Sequence, residues 1–382
     1  MLSKNINFKS FNHKPINKKL KKYFSEIIHK NNETLKSLTT NYKYHYNKNL
    51  IQKFKKEKVL KIIGMGGSIL GTQAIHDYLK KKIKKEIIFF DNIETESKVK
   101  KKGINIIISK SGNTLETIVN SNILIKKKEK NIFITESHDS YLRSLALKIK
   151  AEIINHNNFI GGRYSVLSEV GMLPAELMGL DESKFKQLNN LIKDKSFINS
   201  LISNVNSTLF FIKNKKFNSI VLNYDSSANN LFNWYQQLIA ESLGKKGKGI
   251  LPIISQMPKD NHSLMQLYLE GPKNNFFTFF YTREQNTLKL NNNKIFKSHE
   301  YLKNKTLDKI KFCQKIATEN VFLKKKIPFR SFEVKNRDEK SLGELFCFFI
   351  LETILLGRAL NVNPYDQPSV ELIKKETTKI LI

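Results

Sequence analysis

The feature that most constrains the fold is a repeated pattern, from residue 57 onwards, of short apolar runs separated by turns and helical stretches. The predicted strands of the first repeats are 59–64, 86–90, 104–109 and 131–135. The predicted helices are 72–82, 114–128 and 140–150. Apolar runs of about five residues, alternating with helices of roughly 10–15 residues, indicate a parallel sheet covered by helices on both faces.

The pattern weakens at residues 180–195, a polar helical connector, and then resumes. Further strands are predicted at 219–223, 249–254 and 276–281, with a helix at about 230–243. The sequence therefore predicts an α/β protein with two three-layer domains on parallel sheets, plus N- and C-terminal helices. The predicted division is an N-terminal helical segment at 1–45, a first domain at 46–190, and a second domain at 191–382 that includes tail helices at 340–359 and 368–381.

The net charge of +32 would ordinarily point to a nucleic-acid partner. However, only six of the 66 basic residues are arginine, and the lysines are spread along the chain in short runs such as 80–85 and 324–326. A nucleic-acid surface would combine clustered arginine with interleaved aromatic residues, and the sequence has neither. We therefore interpret the lysines as a solvated surface and expect no nucleic-acid partner; salt-dependent retention on DNA would test that alternative.

Nothing in the sequence predicts a membrane segment or an oxidising compartment. No apolar run reaches the ~18–20 residues that span a bilayer, and the basic N-terminus lacks the apolar stretch of a signal peptide. Cys313 and Cys347 have no metal-ligand spacing and are expected to be reduced thiols. The eight histidines form no metal-binding pair. We expect a cytoplasmic protein that uses no metal and no other cofactor.

The most informative short segment is 106–117, which reads I-I-I-S-K-S-G-N-T-L-E-T. It predicts a strand, a hydroxyl-rich turn and the start of a helix, with Ser109, Ser111 and Thr114 around the helix N-terminus. Free backbone N–H groups and the helix dipole favour an anion there, and hydroxyl groups can add hydrogen bonds to phosphate oxygens. Ordinary helix capping by a Ser or Thr ahead of a Glu is the alternative. Three hydroxyls, a glycine and a preceding strand favour a phosphate site, which also includes Lys110.

A glycine-rich loop at residues 64–71, G-M-G-G-S-I-L-G, also follows a predicted strand and opens a helix. It departs from the dinucleotide fingerprint because isoleucine stands at the last glycine position. It departs from the nucleotide P-loop because Thr72 and Gln73 stand where Lys and Ser/Thr are required. Such a loop either lets the backbone approach a ligand or lets strand and helix pack tightly. Gly67 and Ser68 are its candidate ligand contacts, and the loop alone leaves both interpretations open.

The Ser-x-Ser-Gly-x-Thr-x-Glu-Thr pattern after a strand resembles the signature of sugar isomerase (SIS) domains, which bind phosphorylated sugars. Four further segments resemble, in order along the chain, signatures of the glucose-6-phosphate isomerase (phosphoglucose isomerase) family. They are G-G-R-Y-S at 161–165, E-S-L-G-K at 241–245, N-H-S-L-M-Q at 261–266 and D-Q-P-S-V-E-L-I-K at 366–374. The resemblance implies two flavodoxin-like SIS domains with the site between them.

The resemblance also implies an enzyme that opens a sugar ring and moves one proton between neighbouring carbons through an enediolate. Glu241 matches the family's base and acid, and Gln237 lies four residues earlier on the same predicted helix face. Arg163 matches the cation that stabilises the enediolate. His262 and Lys374 match the residues that open the ring.

The implied reaction is the reversible conversion of glucose 6-phosphate to fructose 6-phosphate in glycolysis and gluconeogenesis. Gln367 matches a residue that contacts the phosphate or the sugar. The family implies a homodimer in which His262 is contributed across the subunit interface. Three positions depart from the family pattern: Leu243 stands for Asn, Ser369 for Gly and Glu169 for a small residue.

Two other functions within the superfamily are alternatives. The first is a dual phosphoglucose/phosphomannose isomerase, against which the complete 366–374 signature argues; an assay with mannose 6-phosphate would decide. The second is a non-catalytic phosphosugar-binding regulator. That class has no use for a Glu, His and Lys set, and it normally carries a separate DNA-binding segment.

Overall fold

The computed structural model describes residues 2–11, 18–30, 32–93, 101–126 and 129–382. The strands are β1 Ile6–Lys9, β2 Val59–Gly64, β3 Glu86–Phe90, β4 Ile104–Ile108, β5 Lys130–Thr135, β6 Glu152–Asn155, β7 Asn218–Asn223, β8 Leu251–Gln256, β9 Asn275–Thr282 and β10 Phe329–Val334. They form two sheets.

Helices cover both sheets. The α-helices are α1 Lys18–His29, α2 Glu33–Lys36, α3 Lys48–Phe54, α4 Leu70–Leu79, α5 Leu115–Leu124, α6 Tyr141–Lys148, α7 Glu169–Leu177, α8 Leu188–Leu191, α9 Lys195–Lys213, α10 Asn229–Leu243, α11 Met265–Glu270, α12 Leu307–Lys324, α13 Glu339–Ala359 and α14 Val370–Leu381. Short 3-10 segments include Gly66–Ser68, Gly162–Leu167 and Lys259–His262. None of the helices formed by the described residues has the length and apolar character of a membrane span.

The first sheet has the strand order β3-β2-β4-β5-β6, and every neighbouring pair is parallel. This is the flavodoxin-like order: β3 is added on one side of β2, and β4, β5 and β6 are added on the other side, so the strand order reverses between β2 and β4. Gly64 at the end of β2 lies in register with Ile108 at the end of β4. The loops that follow these two strands therefore meet at the crevice where open α/β sheets bind their ligands.

The second sheet has the order β1-β10-β9-β7-β8. Its strands β7, β8, β9 and β10 are parallel, and β1 is antiparallel to β10. The seven strands predicted from the sequence are confirmed, each to within about two residues at either end. Two similar α/β units therefore account for most of the chain.

The prediction that residues 1–45 form a purely helical segment is wrong, because residues 6–9 form strand β1 of the second sheet. The sequence of β1, Ile-Asn-Phe-Lys, alternates in the way of a strand with one buried face, and Ile6 is buried while Lys9 is exposed. A run of four residues in a lysine-rich region gives too weak a periodic signal to be recognised. The second sheet is consequently mixed rather than wholly parallel. Residues 1, 12–17 and 31 of the predicted segment lie outside the described residues.

β6 and β10 were not predicted from the sequence. β10 reads Phe-Arg-Ser-Phe-Glu-Val, and its buried Arg330 and Ser331 interrupt the apolar run that would mark a strand. The helix predicted at 114–128 is α5, which ends at Leu124; residues 127–128 lie outside the described part of the chain.

Helix α10 joins the two units. It packs against α4, which covers the first sheet, and against β8 and α13 of the second unit. Its buried side includes Leu231, Trp234 and Leu238, which recur at the three- and four-residue spacing of one helix face. Because neighbours on both sides hold α10, its last turns have a fixed position between the units.

The ammonium group of Lys186 is buried beside the N-terminal segment, between two carbonyl oxygens and two tyrosine rings. It donates to the carbonyl oxygens of Ser37, at 2.5 Å, and of Leu167. The rings of Tyr42 and Tyr44 have their centroids 5.2 and 4.9 Å from the same nitrogen. Burial lowers the pKa of Lys186 to about 7, and nearby carboxylates oppose this only in part.

We expect Lys186 to make the free energy of unfolding rise with pH between about 7 and 10. In the unfolded chain the amine has its ordinary pKa near 10.4, so in this interval the unfolded state binds more protons than the folded state. The contribution is at most about 1.4 kcal/mol per pH unit. Burial also raises the pKa values of Tyr42 and Tyr44, but their unfolded-state titration near pH 10 lowers stability only above this interval.

Urea unfolding at several pH values between about 7 and 10 checks this expectation. Lys186→Met should show a smaller increase of stability with pH than the wild-type protein. Lys184→Met removes an exposed lysine two positions away and should keep the wild-type pH dependence. Equal pH dependence in all three proteins would contradict the role assigned to Lys186.

Candidate active site

The last turns of α10 carry the carboxylate at the centre of the site. Glu241 Oε1 accepts a hydrogen bond from Gln237 Nε2 at 2.9 Å, and Glu241 Oε2 lies 3.1 Å from Arg163 Nη1. Gln237 precedes Glu241 by one helical turn, so their side chains share a face, as predicted. The Glu241 side chain is 27% exposed and that of Arg163 is 1% exposed. The carboxylate is therefore held in one orientation but open to a ligand, while the cation is buried.

All three guanidinium nitrogens of Arg163 are hydrogen-bonded. Nε donates to Ser242 Oγ at 2.7 Å, and Nη1 donates to Gln367 Oε1 as well as to the carboxylate. Nη2 donates to the backbone carbonyl oxygens of Pro364, at 2.7 Å, and of Asp366, at 3.1 Å. A cation fixed in this way needs little rearrangement when negative charge develops near it.

The backbone of Arg163 is held by α10 and by the glycine loop. Trp234 Nε1 donates to the Arg163 carbonyl oxygen at 3.0 Å. A Cβ atom on Gly67 would lie 2.4 Å from the Arg163 amide nitrogen, and one on Gly66 would lie 2.8 Å from Gln237 Nε2. Gly66 also has a φ of +54°. The loop therefore needs glycine for close packing against the Arg163 turn, a contact that neither of the two interpretations of the sequence included.

The hydroxyl-rich turn lies at the N-terminus of α5. Ser109 Oγ and Thr114 Oγ1 are 3.0 Å apart, and Ser109 is buried. Thr114 is the N-cap residue of α5, yet its side chain makes no capping hydrogen bond. Ser111 is exposed, and Lys110 Nζ donates to the carbonyl oxygen of Asn158 at 2.9 Å. The Thr114 hydroxyl thus faces its neighbour in the turn rather than the helix backbone.

The glycine loop links the hydroxyl-rich turn to the carboxylate. A Cβ atom on Gly64 would lie 3.1 Å from the Ile108 carbonyl oxygen and 3.3 Å from Ser68 Cβ. Ser68 is therefore placed at the ends of β2 and β4, next to the turn that begins at Ser109. Further along the same loop, Gly66 lies against the α10 side chain that donates to the carboxylate. The glycine loop thus lies next to both the hydroxyl-rich turn and the ion pair of Glu241 and Arg163.

Among the described residues of one chain, neither His262 nor Lys374 is hydrogen-bonded to Glu241, Arg163 or Gln367. His262 is exposed at the end of its 3-10 segment, which follows β8 at the edge of the second sheet. Lys374 is exposed on α14, and its Nζ lies 2.6 Å from Glu371 Oε1. One copy of the chain brings together the predicted residues Glu241, Gln237, Arg163, Gln367 and Gly67.

Three residues that support Arg163 were not predicted from the sequence: Tyr164, Ser242 and Trp234. The Tyr164 hydroxyl bonds to Ser242 Oγ at 2.9 Å and to the Pro364 carbonyl oxygen at 3.0 Å. Burial raises the pKa of Tyr164, so the hydroxyl keeps its proton. Tyr164 and Ser242 stand inside the 161–165 and 241–245 segments, and Trp234, the one tryptophan of the sequence, precedes Gln237 by three residues. Their closeness in sequence to Arg163, Glu241 and Gln237 was the signal that could have identified them as supporting residues.

Comparison with known proteins bears on the identity of this site. The sequence profile described as "Phosphoglucose isomerase" matches residues 12–382. The "Glucose-6-phosphate isomerase" of Methanocaldococcus jannaschii is 34% identical over 340 residues, covering 82% of each chain. That of Mycoplasmopsis pulmonis is 32% identical over 415 aligned positions, covering 95% of this chain and 96% of the relative.

A structural comparison supports the fold. The crystal structure of a hypothetical protein from Thermus thermophilus superposes with a TM-score of 0.81, covers 95% of this chain and 94% of the other, and is 20% identical. At that identity the similarity concerns the fold alone. The sequence profile, in contrast, spans nearly the whole chain. The chain therefore belongs to the phosphoglucose isomerase family.

Proposed function

We propose that this chain catalyses the reversible isomerisation of glucose 6-phosphate to fructose 6-phosphate by ring opening and enediol proton transfer. The observation that carries the proposal is the Glu241 carboxylate, held between Gln237 at 2.9 Å and Arg163 at 3.1 Å. Family membership supports an aldose–ketose isomerase. We place the activity in glycolysis and gluconeogenesis, in the cytoplasm.

In this proposal Glu241 is first the base and then the acid. It takes the proton from C2 of the open-chain aldose, the electron pair forms a C1–C2 double bond, and negative charge develops on the oxygen of C1. The protonated carboxyl group then returns the proton to C1. A hydroxyl proton passes from the C2 oxygen to the C1 oxygen, and C2 becomes the carbonyl carbon of the ketose. The fixed guanidinium of Arg163 stabilises the enediolate oxygens between the two transfers.

The substrate phosphate is proposed to bind where the glycine loop meets the hydroxyl-rich turn. The start of α5 offers backbone N–H groups and a favourable dipole there. The proposed phosphate contacts are Gly67, Ser68, Ser109, Lys110, Ser111 and Thr114. Gln367, which accepts a hydrogen bond from Arg163, is proposed to contact the sugar or phosphate from the opposite side. The carbon chain would then extend from the turn toward Glu241.

We further propose a homodimer in which His262 of one subunit completes the site of the other. The exposure of His262 on an edge element supports this assignment. Helix α14 supports it too, because Leu372, Ile373 and Ile380 are 68%, 72% and 80% exposed, an apolar face that association would cover. In this proposal His262 and Lys374 transfer protons during ring opening.

The activity is tested by a coupled assay that follows formation of glucose 6-phosphate from fructose 6-phosphate. We expect conversion of this substrate without added metal. Comparable turnover of mannose 6-phosphate would favour the dual phosphoglucose/phosphomannose isomerase instead. Binding of both sugar phosphates without turnover of either would favour the phosphosugar-binding regulator.

Mixing two inactive variants tests the shared site. Glu241→Gln and His262→Ala are each expected to be nearly inactive. In a mixed dimer with a shared site, one site has both changes and the other has neither. Random exchange of subunits at equal amounts should therefore restore about a quarter of wild-type activity, because half of the dimers are mixed and each has one intact site.

The controls for this experiment are the two variants treated separately by the same denaturation and renaturation. They should remain inactive. If His262 acts within its own chain, both sites of a mixed dimer lack one residue, and no activity returns. That outcome would contradict the proposed arrangement while leaving the reaction itself to the assay above.

A further inference from the structure

Two residues of the matched segments have no role in the proposal so far: Lys245, at the end of the 241–245 segment, and Asp366, at the start of the 366–374 segment. In the structure Lys245 Nζ lies 2.6 Å from Asp366 Oδ1 and also donates to the carbonyl oxygen of Asn363. The two residues are 121 positions apart in the sequence. Their contact joins the chain just after α10 to residues 363–367, which precede α14.

Residues 363–367, called here the 363–367 loop, surround the guanidinium group of Arg163. Pro364 and Asp366 accept from Arg163 through their backbone carbonyl oxygens, and Gln367 accepts through its side chain. The other two acceptors, Ser242 and Glu241, are on α10. The position of the cation therefore depends on how the 363–367 loop is placed relative to α10.

The loop is held by hydrogen bonds within it and by Lys245, which lies just after α10. Asn363 Nδ2 donates to Asp366 Oδ2 at 3.0 Å, and Asn363 Oδ1 accepts from the Tyr365 backbone N–H at 3.1 Å. The hydrogen bond from Lys245 lowers the pKa of Asp366, so the aspartate is charged at neutral pH. The Lys245 side chain is 12% exposed and that of Asp366 is 53% exposed. The lysine is thus well fixed, while the aspartate lies at the surface.

We propose that Lys245 is a positioning residue for the reaction: through Asp366 and Asn363 it fixes the 363–367 loop and thereby Gln367 and the carbonyl groups that hold Arg163. The inference rests on the proposed function, in which Arg163 stabilises the enediolate. Lys245 itself touches no reacting atom. Because Arg163 acts on charge that exists only in the transition state and the intermediate, a loosened loop lowers kcat more than it raises KM.

Kinetics of lysine variants test this role. Lys245→Met keeps the aliphatic stem and removes the charge and the donor. We expect kcat with fructose 6-phosphate to fall about tenfold and KM to change by less than about twofold. Lys245→Arg should recover most of the lost kcat, because a guanidinium group can still donate to both acceptors. Lys246→Met removes the neighbouring exposed lysine, matches the change in charge, and should keep the wild-type kcat.

A double-mutant comparison separates the ion pair from general effects of charge. Asp366→Asn should lower kcat in the same way, and the Lys245→Met/Asp366→Asn double variant should be no slower than Lys245→Met alone. Purely additive losses would show that the two residues act separately and would overturn the proposed path through Asp366. Thermal unfolding should be nearly the same in all of these variants, because Asp366 is 53% exposed and methionine keeps the aliphatic stem of Lys245.

Amide hydrogen exchange over residues 361–369, measured without substrate, tests the placement of the loop independently of activity. Exchange should be faster in Lys245→Met than in the wild-type protein or in Lys246→Met. If the wild-type protein converts no fructose 6-phosphate, the proposed function fails, and the exchange rates alone then decide whether Lys245 fixes the loop. A wild-type kcat or wild-type exchange rates in Lys245→Met would overturn the inference.

Discussion

Glu241→Gln is expected to lower kcat for fructose 6-phosphate by about 10²–10⁴-fold, the range that a positioned general acid–base group contributes. Glutamine keeps the shape of the side chain, and its carbonyl oxygen can still accept the hydrogen bond that Arg163 donates at 3.1 Å. What the variant loses is the basic oxygen that takes the C2 proton. The fold and the hydroxyl-rich turn should be unaffected, so calorimetry should show fructose 6-phosphate binding with nearly wild-type affinity.

The matched control is Glu270→Gln, which makes the same change on the surface of α11 at a side chain that is 61% exposed. It should retain the wild-type kcat. Near-normal turnover in Glu241→Gln would refute the assignment of the base. Loss of substrate binding together with turnover would instead show that Glu241 acts in binding, and the proton transfer would need another residue.

The meeting of the charged residues shows how far the sequence could predict the site. Arg163 and Glu241 were each recognised in a local segment, but 78 positions separate them, and no periodicity argument reaches across that distance. Only the resemblance to a family predicted that they meet. The contact between Lys245 and Asp366 was not predicted at all, because both residues are ordinary surface types in a chain with 60 lysines.

The fold was predicted better than the site because strand and helix patterns are local. The fold class, two α/β units with largely parallel sheets, is confirmed, and the family assignment agrees with it. The strands that were missed have local reasons: β1 and β6 have four residues each, and β10 contains the buried Arg330. How the two units face each other depends on the packing of α10 against α4, β8 and α13. No local pattern in the α10 sequence predicts these partners.

The three departures from the family pattern are compatible with the geometry. Leu243 is buried among core side chains, and Ser369 has φ −70° and ψ −26°, a backbone conformation that does not require glycine. Glu169 is buried, but its carboxylate accepts from the Tyr42 hydroxyl at 2.8 Å and from the Asn157 backbone N–H at 2.7 Å. A buried carboxylate with such partners does not carry the cost of an unpaired charge.

The two similar sheets are used differently. In the first, the crevice between β2 and β4 is bordered by a glycine loop and hydroxyl groups. In the second, the corresponding edge after β7 and β9 is occupied by side chains of the chain itself. Arg337 Nη2 donates to Asp225 at 2.8 Å and to Glu284 at 2.7 Å, and the group is largely buried. We infer that this ion-pair cluster serves the packing of the second unit, which supports placing the substrate phosphate in the first.

Truncating Glu352 to alanine is expected to lower the free energy of unfolding by about 3–5 kcal/mol, the usual effect of removing one partner of a buried ion pair. Arg330 and Glu352 are each 2% exposed and 2.5 Å apart. Arg330 also donates to Thr278 at 2.9 Å and to the Tyr235 hydroxyl at 3.1 Å. Burial alone lowers the pKa of Arg330, but Glu352 and Tyr235 together more than offset this. Without the carboxylate, a charged guanidinium would be left with neutral acceptors only.

Urea unfolding of three variants checks this expectation. Glu300→Ala removes one partner of an exposed pair with Lys303 and should cost less than about 1 kcal/mol. The double variant Arg330→Met/Glu352→Leu should be more stable than Glu352→Ala, because no charge is left buried. If Glu352→Ala unfolded at the same urea concentration as Glu300→Ala, the buried pair would not be needed for stability.

The loss of Glu352 should also affect catalysis, because Tyr235, which accepts from Arg330, lies on α10 with Glu241. Without the buried ion pair, the helix that presents the Glu241 carboxylate should be less firmly held. We therefore expect kcat to fall in Glu352→Ala and to recover in part in the double variant.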